Sequence, residues 1–156
     1  MSFMRLDDAV NGAEGRAYAI IGGLREEMFY LRNIEAKVEK EKTQGKTLGK
    51  RGTQHKANGW KGSGSANIYY VTSRFRKMML GYIKDGVDTY FDVQIVNEDP
   101  ASSIGAQTVL LRDVNLDSVM MAKLDVDSEF LDEDVDFTFE DADILDSFGT
   151  PSLSHQ

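Results

Sequence analysis

The chain has 156 residues, 41% of them hydrophobic and 28% charged, and a net charge of −8. That composition fits one ordinary globular domain and excludes a disordered chain or a membrane-spanning helix, since runs such as Ala17 to Ile21 fall far short of the ~20 apolar residues that cross a bilayer. With no cysteine there is no disulfide framework, thiolate metal site or cysteine nucleophile; this and a start (Met-Ser-Phe-Met-Arg-Leu-Asp-Asp) without a signal-peptide core predict folding in a cytoplasm.

In chain order, residues 1–15 are mixed and polar and read as an N-terminal arm, with a turn at Asn11-Gly12. Ala17 to Ile21 followed by Gly22-Gly23 is a strand running into a two-residue hairpin turn. Ile34, Ala36 and Val38 alternate with Glu35, Lys37 and Glu39, the period-2 pattern of a strand with one buried face; a helix over 25–42 is the alternative. Residues 43–65 hold six glycines, five Lys/Arg and no acid, which predicts a long basic loop acting as a mobile arm, or one hiding a short strand. Ala66 to Val71 reads as a strand.

Thr72-Ser73 leads into a predicted helix over 74–84, with Phe75, Met78, Met79, Tyr82 and Ile83 on one packing face and Gly86 as its left-handed stop. Strands are then predicted over 89–96, 108–116, 119–125 and 134–139. Ile144, Leu145 and Phe148 dock a last short segment, and residues 149–156 form a flexible tail. The expected fold is mainly β with one flanking α-helix, an antiparallel β-sandwich or barrel over residues 16–148.

Charge is divided along the chain. Residues 32–87 carry 13 Lys/Arg against 4 Asp/Glu, and residues 88–148 carry 2 against 17. Such a division suits the joining of a basic surface to an acidic one, within a chain or between copies; two separately solvated surfaces are the plain alternative.

No catalytic constellation emerges. Gly45-Lys46-Thr47 resembles the end of a phosphate loop but has Lys40 where the first glycine belongs. Asp125, Asp127 and Glu129 have calcium-loop spacing, but Phe130 stands where that loop needs glycine. His55 and His155 have no evident partner for nucleophilic catalysis. Lys46, Lys50, Arg51, His55, Lys56, Trp60 and Lys61 form the one concentrated basic and aromatic group. It can contact nucleic acid or, better suited to an acidic protein, the acidic part of a neighbouring subunit.

Several segments carry a family resemblance: Ile34-Glu-Ala-Lys-Val-Glu-Lys40, Ile68-Tyr-Tyr-Val-Thr-Ser73, Asn97-Glu-Asp-Pro100, Asp113-Val-Asn-Leu-Asp-Ser118, Ala122-Lys-Leu-Asp-Val-Asp127 and Glu133-Asp-Val-Asp-Phe-Thr-Phe-Glu-Asp141. In this order they resemble the tail tube proteins of contractile phage tails, of the kind found in PBSX-type prophages. The resemblance implies a structural subunit of the virion tail, with no enzymatic activity, cofactor or membrane anchor. It implies hexameric rings stacked into a hollow tube, and contacts to tail sheath, baseplate and tail-terminator proteins. DNA passes through the lumen without specific binding; in tailocins the tube punctures a membrane instead. It also implies that residues 1–15 and 43–65 contact neighbouring rings. A type VI secretion-like tube protein and a non-polymerising host β-domain module are the alternatives.

Overall fold

The structure is a computed structural model; it describes residues 2–4, 15–49, 51–98, 100, 103–149 and 153–155. Ten strands and one helix follow in the order β1 (Ser2–Met4), β2 (Gly15–Ile21), β3 (Leu24–Glu27), β4 (Leu31–Gly45), β5 (Gln54–Tyr69), α1 (Arg74–Asp85), β6 (Phe91–Glu98), β7 (Ala106–Val119), β8 (Asp132–Phe139), β9 (Asp141–Asp146) and β10 (Leu153–His155). The fold is thus mainly antiparallel β with a single helix among the described residues, as expected, although the barrel stays open.

Two layers share one strand. The first half of β7 pairs with β6 and β9 in a layer that continues through β2 to β3. The second half of β7 pairs with β8, which continues through β5 to β4. The change of layer falls at Asp113, the one non-glycine residue with positive φ (54°) among those described, whose N–H is held by the Asp92 carboxylate at 3.2 Å. Opposite it, the Glu140 N–H donates to the Arg112 carbonyl between β8 and β9, so both strands turn the same corner.

The core lies between the layers. Ala17, Ala19, Phe91, Val93 and Leu111 face Ala66, Ile68, Val135, Phe137 and Phe139. Phe75 of α1 plugs one end, its ring 6.2 Å from Phe91 and 6.5 Å from Tyr30. The helix ends at Gly86 (φ 67°), whose N–H returns to the Tyr82 carbonyl. The β2–β3 turn is Gly22-Gly23, both at positive φ, as a two-residue hairpin of this hand requires.

Three expectations are corrected. Residues 43–65 are not a loop: β4 runs to Gly45 and β5 starts at Gln54, so most of the stretch is one long antiparallel hairpin. Two of its glycines, Gly62 and Gly64, mark close approach rather than freedom. A Cβ on Gly64 would lie 2.5 Å from the Glu35 carbonyl and from the Phe137 ring, and one on Gly62 would collide with Phe139. Residues 153–155 pair with residues 2–4 and are not a free tail. The rest of the proposed N-terminal arm lies outside the described residues, apart from Gly15 in β2. Lastly, β7 ends at Val119, and no strand forms over 120–131.

Candidate assembly surface

The β4–β5 hairpin dominates the surface. β4 has 15 residues, roughly 50 Å of extended chain at ~3.3 Å per residue. β8 supports β5 only from Gly62 to Tyr69, so Glu39–Gly45 and Gln54–Lys61 project as a two-stranded ribbon without a third strand. A ribbon of that kind is marginally stable in water alone.

The sequence-predicted basic group falls on this ribbon and its turn. Lys46 and Arg51 flank the turn, and His55, Lys56, Trp60 and Lys61 lie on β5 opposite Gln44, Thr43, Lys40 and Glu39; all are exposed. Lys50 lies outside the described residues. A bulge at Asn58, whose amide donates to the Thr43 hydroxyl, keeps Ala57 and Trp60 on the same face as Val38. There they line an apolar hollow with Ala142 of β9, and Trp60 stands 6.2 Å from Phe139. Leu48 is fully exposed in the turn. Sequence reasoning saw the charges but missed this apolar side; the alternation through Val38 was its only signal.

The opposite face of the β4–β5–β8–β7 layer is polar and acidic. Asp132, Asp134 and Asp136 alternate outward from β8. Asp132 is 2.6 Å from Arg32 and 3.3 Å from Lys123, Asp134 accepts from Asn67, and Asp136 accepts from Ser118. Hydrogen bonding from Lys123 holds the Asp132 carboxyl below the usual carboxylate range, with help from Asn67 and Arg32. Glu35, Lys37, Ser63, Ser65, Asp117 and Asp136 line a hollow on this face.

The helix face predicted to pack divides in two. Phe75 is buried, Met78 packs on the core and Met79 is half-buried, whereas Tyr82 and Ile83 are exposed. Met79 and Tyr82 line an open groove against Leu116 of β7. The physical reason is position: only the first two turns reach the core, so period alone overstates the buried face.

Among the described residues no cluster of His, Asp or Glu suits a metal ion, and no helix is long and apolar enough to cross a membrane. Asp125, part of the calcium-like spacing, instead accepts the Asp127 N–H at 3.0 Å in a local turn.

The described residues form a bent two-layer β fold with a projecting ribbon. Residues 2–146 match the family model described as phage tail tube protein, and the chain belongs to that family. It is 45% identical over 141 residues to the phage-like element PBSX protein XkdM of Bacillus subtilis (strain 168), covering 90% of this chain and 93% of that one. The fold is also that of a chain in the anti-feeding prophage baseplate (TM-score 0.67, 14% identity, 88% of this chain and 95% of that one). It is likewise that of a chain in the sheath–tube complex of an extracellular contractile injection system in its extended state (TM-score 0.65, 8% identity, 89% and 93%). Family and fold are those of a structural tail component, not an enzyme.

Proposed function

We propose that this chain is the repeating subunit of the inner tube of a contractile phage tail or tailocin, forming hexameric rings that stack into a hollow conduit. The observation that carries this is the ribbon without a third strand: Glu39–Gly45 and Gln54–Lys61 leave Trp60 half-exposed and present Leu48 and a row of cations with no strand of their own subunit paired beside them. An adjacent ring supplies the missing surface, and its acidic residues match Lys46, Lys50, Arg51, Lys56 and Lys61. Residues near the N-terminus join the same contact. Assembled this way, the subunit sits inside a sheath, between a baseplate and a terminator.

The acidic face bearing Asp132, Asp134 and Asp136 suits the channel wall, because fixed negative charge repels a DNA backbone and keeps it from adhering. The conduit thus serves DNA ejection, or membrane puncture in a headless particle.

Lys50→Glu combined with Arg51→Glu tests the stacking role. Circular dichroism should match the unaltered protein while sedimenting filament disappears. Equal filament yield across a range of salt would overturn the assignment of the ribbon as the stacking element, since exposed charge pairs are weak singly and screened by salt.

A further inference from the structure

An asparagine followed by glycine readily loses its side-chain amide, because glycine has no Cβ to keep its main-chain nitrogen away from the asparagine Cγ. The chain has two such pairs, Asn11-Gly12 and Asn58-Gly59. The first lies outside the described residues; the second lies on β5, within the ribbon.

A regular strand protects asparagine by pinning its backbone in the ladder, and Asn58 lacks that restraint. The β4–β5 register passes from the Glu41–Gly59 pair to the Lys42–Ala57 pair, so Asn58 is the extra residue of a bulge, with no partner across the ladder. β8 supports β5 only from Gly62 onward, so no third strand steadies the bulge. Asn58 and Gly59 are both exposed, and nothing lies within 4 Å of where a Cβ on Gly59 would stand. Water reaches the pair, and the main chain has room to turn. One contact opposes the reaction. The Asn58 amide donates to the Thr43 hydroxyl, which draws the side chain across to β4 and engages the nitrogen that has to leave.

We propose that Asn58-Gly59 is a site of spontaneous deamidation restrained by Thr43. The Gly59 main-chain nitrogen gives up its proton and attacks Asn58 Cγ. The N–Cγ bond forms, the Cγ–Nδ2 bond breaks, and Nδ2 leaves as ammonia, giving a cyclic imide; attacking and attacked atoms sit on adjacent residues, so the step is intramolecular. Water then opens either carbonyl of the ring, leaving aspartate, or isoaspartate whose main chain runs through Cβ. No oxidant or reductant takes part. Either product replaces the donor to Thr43 with a carboxylate, on a ribbon that carries Lys40, Lys42, Lys56 and Lys61. Isoaspartate also lengthens the main chain by one carbon at the bulge, so the pairs beyond it, from Lys56–Thr43 to Gln54–Gly45, lose their register. The ribbon thus ages in one direction, whether or not the chain builds a tube.

The test holds unaltered subunits folded at mildly alkaline pH and samples them with time. Trypsin cuts after Lys56 and Lys61, so residues 57–61 leave as one peptide, separate from the one holding Asn11 and visible through Trp60. That peptide should gain one mass unit and divide into two chromatographic forms, the isoaspartate form the larger. Gly59→Ala, whose methyl group meets nothing within 4 Å, should slow conversion about tenfold or more by keeping the nitrogen from Cγ. Thr43→Val keeps a β-branched residue on the strand but removes the acceptor, and should speed conversion severalfold. A 57–61 peptide that stays unchanged in the folded protein, over the time in which the urea-unfolded chain converts, would overturn the site. Conversion no faster in Thr43→Val than in the unaltered protein would overturn the restraint.

Discussion

Arg76 on α1 is ion-paired with Glu133 on β8, and this carboxylate is almost entirely removed from solvent. The same guanidinium donates to the Thr72 carbonyl and lies over the Tyr70 ring, 4.3 Å from its centroid. One charge pair therefore ties the start of the helix to the core face of the layer that carries it.

Because the second Glu133 oxygen is buried without a hydrogen-bond partner among the described residues, the pair is balanced only by Arg76. Arg76→Leu should cost about 3–5 kcal/mol in urea unfolding of the subunit, by leaving a buried charge unpaired. Adding Glu133→Leu should recover most of that loss. A double variant as unstable as the single one would mean that packing of the Arg76 stem, not charge, is what matters.

Gly64 separates close contact from flexibility. Gly64→Ala pushes a methyl group against the Glu35 carbonyl and the Phe137 ring and should cost about 1–3 kcal/mol. Gly59→Ala, which meets nothing within 4 Å, should stay within about 0.5 kcal/mol of the unaltered protein. Equal effects in chemical denaturation would refute the reading of Gly64 as a packing residue.

Asp132 gives the acid limb of stability a defined contribution. Its carboxyl titrates lower in the folded chain than in the unfolded one, through Lys123 first. Its stabilisation is therefore present above the ordinary carboxylate pKa of about 3.9 and lost as pH falls through the lower folded value. Melting temperature should fall less steeply below about pH 4 in Asp132→Asn than in the unaltered protein. Parallel curves would show that Asp132 is not coupled to folding.

Trp60 is the only tryptophan in the chain and is 44% exposed. If the ribbon docks on a neighbouring ring, its emission should shift to shorter wavelength and resist acrylamide quenching as tubes form. An unchanged spectrum in sedimented tubes would place Trp60 outside the contact.

Much of the fold was legible where local chemistry decides it. Gly22-Gly23 fixed a hairpin because both positions take positive φ, and α1 followed from its period and from Gly86. Val135, Phe137 and Phe139 declared their strand by alternation, since one face is buried. The β4–β5 hairpin was hidden because the reason for Gly62 and Gly64 lies in phenylalanine rings more than 70 positions away. Val38 and Tyr82 were read as buried because apolar periodicity reports that a residue seeks cover, without saying whether its own subunit provides it. The cationic cluster was visible as composition, but its apolar reverse side depends on the bulge at Asn58, which no sequence period announces.

The corner at Asp113 has a mechanical consequence. β7 belongs to both layers, and β8 and β9 cross beside it through the Glu140–Arg112 bond. Sliding one layer over the other is therefore opposed by covalent backbone as well as by side-chain contact. A shearing thrust along the two layers is shared through β7 before the packed interior has to yield, as in a wall whose inner and outer courses are laid from the same bent bars.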